Sequence, residues 1–186
     1  MRRCEDIERE VAALLAKGEV VARYKGREEF GARALGNRSI LADPSRYDVV
    51  QIINKMIKCR DFWMPFACSI LQEDADTYVK NPKGVFAPYM ILTFDSKKTE
   101  DIRAGSHPED KTVRPQIVTP AHNAEYHRLI SEFKKLTGRG AVLNTSFNLH
   151  GFPIVSSPDD AAEVFVKSGL RHLAVGDYLL SKGSHQ

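Results

Sequence analysis

Apolar residues recur along most of the chain at spacings that assign elements. In the first segment Ile7, Val11, Leu14 and Leu15 share one helical face, and Gly18 stands where such a helix stops. The β-branched run EVVARY (19–24) predicts a strand, and SILAD (39–43) predicts a second. Between them, GREEFGARALGN spaces Gly26, Gly31 and Gly36 five apart with charges between, which reads as a loop. Asp43-Pro44 has the form of a cap followed by a first-turn proline, opening a helix that carries Val49, Val50, Ile53, Met56 and Ile57.

Farther on, PFACSIL (65–71) and YMILTF (89–94) predict strands, with a short helix near QEDADTYV (72–79) between them. Residues 95–112 are polar and rich in turn formers, the best candidate for a mobile loop. VRPQIV (113–118) predicts a strand. NAEYHRLISEFKKLTG gives the clearest helix, with Tyr126, Leu129, Ile130, Phe133 and Leu136 on one stripe and Gly138 at its end. GAVLNTSF (140–147) reads as a buried strand entering a polar turn. Ser157, Pro158 and Asp160 form a capping-box helix start, and HLAVGDYLL (172–180) closes with one or two strands. Helices and strands alternate without a linker, so residues 1–186 are expected to form one α/β domain around a central sheet.

Composition narrows the class. The chain has 186 residues, 42% apolar and 27% charged, which excludes wholesale disorder. The longest apolar-rich stretch, VFAPYMILTF, is about half of what a membrane helix needs and contains a proline. Three cysteines, Cys4, Cys59 and Cys68, cannot pair completely and lack zinc-site spacing, and the first residues lack a secretory pattern. A cytoplasmic protein outside the membrane is expected.

The net charge of +3 hides a local excess. From Arg23 to Arg60 there are nine bases and four acids, a net of +5. Several of these bases stand beside glycines, where guanidinium groups and backbone N–H groups can converge on an anion. GARALGNRS falls short of a phosphate-binding loop of the G-x-x-x-x-G-K-[ST] type, because Asn37 holds the lysine place. Arg33 and Arg38 can still grip phosphate or carboxylate bidentately. Lys58 and Arg60, two apart, reach one ligand if the chain is extended there. Asn144, Thr145, Ser146 and Asn148 put four short polar groups straight after an apolar strand, where ligands bind in open α/β sheets. A turn bonding its own backbone is the alternative for these four. The six histidines have no ligand-like spacing.

Taken in order, GREEFGARALGNRSILADP, NKMIKCRDFWMPFACSIL, VRPQIV, YHRLISEFKKLTG, AVLNTSFNLHGFPIVSSPDDA and GDYLL resemble the C-terminal domain of the nodulation-protein-U and cephamycin-type O-carbamoyltransferases, from about Val20 to about Leu180. The resemblance implies a YrdC-like fold, a twisted mixed β-sheet flanked by helices. It implies that the domain binds ATP, accompanied by Mg2+, and carbamoyl phosphate, and forms a carbamoyl-adenylate. An N-terminal actin/Hsp70-like half, not contained in this sequence, would then transfer the carbamoyl group to an acceptor hydroxyl. The resemblance assigns catalytic roles to Lys58, Arg60 and Arg114. It assigns substrate and nucleotide binding to Arg33, Ser146 and Asn148, with Arg38, Asn144 and Thr145 as neighbours.

The chain departs from the family pattern at four positions. Met64 and Cys68 stand where the family has arginine and proline, Ala32 where proline is usual, and Phe152 where glutamate is usual. These departures motivate an alternative, a non-catalytic nucleotide-binding remnant or scaffold domain of a split carbamoyltransferase. Binding to nucleic acid is not expected, since no RNA motif is visible and little net charge is available to drive it.

Overall fold

The computed structural model describes residues 1–58 and 66–183, Lys58 by its backbone alone. Lys58 as a side chain, Arg60, Cys59 and Met64 therefore lie outside the described residues. The chain runs β1 (Arg2–Arg3), α1 (Ile7–Ala16), β2 (Val21–Tyr24), β3 (Arg38–Ala42) and α2 (Asp48–Ile53), which continues into a π-helical turn (Asn54–Lys58). Next come β4 (Ala67–Leu71), α3 (Ala75–Tyr78), β5 (Phe94–Asp95), a 3-10 helix (Thr99–Gly105), β6 (Thr112–Val113) and β7 (Gln116–Val118). The last elements are α4 (Pro120–Thr137), β8 (Ala141–Ser146), α5 (Pro158–Lys167), β9 (His172–Val175) and β10 (Tyr178–Ser181).

Among the described residues, eight strands form one mixed sheet in the order β1-β10-β9-β2-β3-β8-β4-β7, while β5 and β6 pair separately. The β2–β9 and β4–β7 pairs are parallel, and the other neighbours are antiparallel. Strand alternation divides the core by face. Val21, Leu41 and Val142 meet Val11, Leu15, Leu129 and Phe133 of α1 and α4. Ala22, Ile40 and Leu143 meet Val49, Ile53, Ala161 and Phe165 of α2 and α5. A third cluster, Ile70, Tyr78, Ile102 and Ile117, closes the β4–β7 end.

Local chemistry explains the element ends. Asp6 accepts from the Arg9 N–H at the start of α1, and Ser157 and Asp160 complete a reciprocal capping box on α5. Gly138 ends α4 in the left-handed region at φ 76°.

Several expectations are corrected. YMILTF is not a strand beyond Phe94, because Met90 takes a left-handed φ of 55° that breaks extended backbone. Residues 95–112 are not a loose loop. The 3-10 helix buries Ile102 and Ala104, and its Gly105 lies flush against β4. VRPQIV divides at Arg114-Pro115 into β6 and β7. Leu136 is 58% exposed rather than on the buried stripe. The helix after Asp43-Pro44 starts only at Asp48. The Asp43 carboxylate instead accepts from the Ser45 N–H at 2.9 Å, the Ser45 hydroxyl at 2.7 Å and Arg139 at 2.7 Å.

Candidate functional site

The 26–37 loop is built by its neighbours. Buried Arg23 on β2 donates from Nη1 to the Gly36 carbonyl at 2.5 Å. Its charge is met by buried Glu8 of α1 at 3.4 Å, and Glu8 also pairs with Lys25 at 3.3 Å and Arg128 of α4 at 2.9 Å. Burial lowers the Arg23 pKa even so, the usual cost of placing a charge in a dry core. Gly36, at φ 118°, has no room for a side chain, since a Cβ there would lie 2.4 Å from the Tyr126 ring.

This loop delivers Ala32, Arg33 and Ala34 to a cavity of about 50 Å³. Phe66 and Ala67 from the start of β4, Met90, Arg114 and the β8 end residues Asn144, Thr145 and Ser146 complete its lining. Five residues expected from the sequence are thereby brought together: Arg33, Arg114, Asn144, Thr145 and Ser146. Two arginines thus share the cavity wall with a strand end rich in hydrogen-bonding groups. Asn148 stands one step back. Its Oδ1 accepts from the Ser146 hydroxyl at 2.7 Å, and its Nδ2 donates to the Leu149 and Phe152 carbonyls at 2.9 and 2.7 Å. Phe152 contributes that carbonyl, while the residue is 65% exposed and outside the cavity lining.

Arg38 does not join the cavity. It is 3% exposed, its guanidinium stacks 3.7 Å over the Tyr24 ring, and it donates to the carbonyls of Lys25, Gly26 and Asn37 at 3.0–3.1 Å. It braces the two ends of the loop rather than meeting a ligand. The loop's own N–H groups, expected to cradle an anion, converge on the Glu29 carboxylate.

A buried polar relay under the cavity escaped the sequence reading. Gln116 Nε2 donates to the Leu35 carbonyl at 2.8 Å, which leaves its Oε1 to accept from Ser69 Oγ at 2.6 Å. Asn144 Nδ2 donates to that same Oε1 at 3.2 Å, to Ser69 Oγ at 3.0 Å and to the Ala34 carbonyl at 3.2 Å. Carbonyl oxygens only accept, so the Asn144 amide is fixed with its nitrogen toward them. Asn144 Oδ1 then faces away from them, buried and without a hydrogen-bond partner among the described residues. The signal in the sequence was Gln116 beside Arg114 in RPQ, and serine within an otherwise apolar strand.

Cys68 lies behind the cavity wall, and burial pushes its thiol up to about 12, so it packs rather than reacts. The cavity lining contains no carboxylate, and no group of three or more His, Cys, Asp or Glu is positioned for a metal among the described residues. These lining residues therefore offer Mg2+ no carboxylate ligand. No helix among the described residues is long and apolar enough to cross a membrane.

Comparison with solved structures gives the fold. HypF in its phosphate- and nucleotide-bound form superposes with a TM-score of 0.62 at 18% identity, over 95% of this chain and 21% of HypF. The P. abyssi Sua5 complexed with L-threonine gives 0.62 at 20% identity, over 95% of this chain and 48% of Sua5. The fold is the YrdC-like one expected from the sequence. Nodulation protein NolNO of Sinorhizobium fredii is 40% identical over 186 residues, covering 98% of this chain and 27% of the relative. The 3'-hydroxymethylcephem-O-carbamoyltransferase of Amycolatopsis lactamdurans is 33% identical over 168 residues, covering 90% of this chain and 32% of the relative. The chain thus spans about a third or less of these curated relatives. The family described as carbamoyltransferase C-terminus matches residues 12–182, and the chain belongs to it.

Proposed function

We propose that this domain binds ATP and carbamoyl phosphate and makes a carbamoyl-adenylate for O-carbamoyl transfer by a separate actin/Hsp70-like domain. The observation that carries the reading is the cavity that joins Arg33 and Arg114 to Asn144, Thr145 and Ser146 at the β8 end. A carbamoyl group brings an –NH2 donor and a carbonyl acceptor that suit the hydroxyl groups of that strand end, and the arginines suit its anionic end.

In the proposed chemistry, water cleaves the carbamoyl C–O bond of carbamoyl phosphate, releasing inorganic phosphate and carbamate. A carbamate oxygen attacks the α-phosphorus of ATP. The bond from that phosphorus to its bridging oxygen breaks, and pyrophosphate leaves with the electron pair. Such a reaction needs positioning and charge stabilisation more than a dedicated base. Arg114, with Lys58 and Arg60, supplies the charge, Arg33 with Ser146 and Thr145 holds the ligand, and Asn148 orients Ser146.

Carbamoyl-phosphate-dependent exchange of labelled pyrophosphate into ATP tests the reading. Exchange is expected in the purified chain and is expected to be lost in Arg114→Ala and Lys58→Ala. ATP binding without exchange, even with an actin-like partner domain supplied, refutes the catalytic reading and favours the nucleotide-binding remnant.

A further inference from the structure

Glu29 sits four residues before Arg33, outside the set of residues that line the cavity. Its Oε1 accepts from the backbone N–H of Leu35 at 2.7 Å, of Asn37 at 2.7 Å and of Arg38 at 3.3 Å. Several N–H groups of neighbouring residues aimed at one point form an anion-binding nest. Here the anion comes from the chain itself. Gly36 makes the convergence possible: its φ of 118° turns the backbone, its N–H goes to Ser39 Oγ at 3.0 Å and its carbonyl to Arg23.

The two ends of the loop are held without Glu29. Arg38 ties the carbonyls of Lys25, Gly26 and Asn37 together, and Asn37 Nδ2 donates to the Arg27 carbonyl at 2.8 Å. The arc from Phe30 to Arg33 is exposed. Glu29 stands at the base of that arc, and its carboxylate joins the start of the arc to the residues that follow it. The arc carries Ala32 and Arg33 into the cavity wall, and buried Ala34 follows them there.

We infer that Glu29 is a positioning residue: its carboxylate fills a backbone anion nest and so holds Arg33 where it meets the anionic end of the ligand. The identity of that ligand, carbamoyl phosphate, rests on the function proposed above. The nest itself does not.

Glu29→Ala opens the three N–H groups to a small anion from solution, and acetate is the probe. In the 15N-labelled variant, acetate should shift the amides of Leu35, Asn37 and Arg38 saturably, and it should leave them unmoved in the wild type. Calorimetry should show carbamoyl phosphate affinity falling about tenfold or more in Glu29→Ala. Acetate should restore that affinity toward the wild-type value while giving the wild type no gain. A merely structural defect would not recover with a soluble anion. Glu29→Gln keeps an uncharged acceptor of the same length and should show a smaller loss. It carries the test if the alanine variant does not fold.

The inference is overturned if either folded variant binds carbamoyl phosphate as the wild type does, or if acetate leaves the alanine variant's loss untouched. If the wild type itself binds no carbamoyl phosphate, the proposed function fails instead. The amide shifts then still decide the nest, and their absence in Glu29→Ala overturns it.

Discussion

Replacing Gly105 with alanine isolates one steric contact behind the cavity. The new Cβ would lie 2.2 Å from Cys68 Sγ, and 3.4 Å from the Ala67 carbonyl carbon and the Cys68 nitrogen. Non-bonded atoms of this size meet comfortably near about 3.5 Å, so the backbone contacts are only tight while the sulfur overlaps by more than an ångström. Cys68 is fully buried, and its short side chain has no flexible end to swing aside. Gly105 is not among the glycines with positive φ, so alanine meets no backbone strain and the cost is steric alone. Overpacking costs about 1–3 kcal/mol, and an overlap of this depth belongs in the upper part of that range. For a domain of this size, about 2–3 kcal/mol lowers Tm by about 4–12 °C.

The double variant Gly105→Ala with Cys68→Ala supplies the control. Removing the sulfur makes room for the new methyl, so the two changes should couple favourably by about 1–2 kcal/mol in urea unfolding. Strict additivity of the two changes refutes the contact. A Gly105→Ala variant within about 0.5 kcal/mol of wild type, the range of an innocuous surface substitution, refutes the packing of the whole 99–105 segment against β4.

Other substitutions probe the relay, the buried thiol and the helix start. Asn144→Asp replaces the donor to three oxygens, at Ser69, Gln116 and Ala34, with a carboxylate that cannot donate, while the Ser69 hydroxyl is already donated to Gln116. It is expected to lower stability by about 3 kcal/mol or more in urea unfolding and to abolish ligand binding, whereas wild-type behaviour would deny the relay. The Cys68 thiol is raised by burial from 9.0 to about 12 and Tyr78 from 10.0 to about 12, again chiefly by burial. Both groups hold their protons longer in the folded chain than in the unfolded one. Their contribution to stability is therefore intact below pH 9 and lost as the pH rises toward 12. Cys68→Ala should make the fall between pH 9 and pH 10 shallower in chemical denaturation, and an unchanged slope would count against the buried thiol. Ser157→Ala removes the acceptor for the Asp160 N–H at the start of α5 and should cost about 1 kcal/mol, read as a shifted urea midpoint at constant slope.

The fold was legible where one residue pattern had one solution. The stripe of Tyr126, Leu129, Ile130 and Phe133 could bury only as a helix, and Ser157-Pro158-x-Asp160 could only cap one. Legibility failed where long-range packing chose the conformation. YMILTF has strand composition, but Met90 turns left-handed and buries its side chain beside the cavity. The polar 95–112 segment looked loose because its anchors, Ile102 and Ala104, are few among charges. Their effect depends on the site opposite, where β4 presents Cys68 and where only a glycine fits at position 105.

The site shows the same division at the scale of single side chains. Arg33 and Arg38 are five residues apart in one motif, and charge and spacing alone do not tell their roles apart. The difference comes from where the sheet begins. Arg38 opens β3 with its Cα opposite that of Tyr24 on β2, so its guanidinium is drawn over the ring and onto the loop carbonyls. Arg33 precedes the strand, where no pairing fixes the backbone, and its placement falls to the turn around it. That makes Glu29, Arg23 and Gly36 part of the site's architecture although none of them lines the cavity. The local charge excess between Arg23 and Arg60 thus contains two kinds of cation. Arg23 and Arg38 are buried and already matched by carboxylate, carbonyls and rings. Arg33 stands exposed at the cavity wall, held by groups whose own charges are satisfied within the fold.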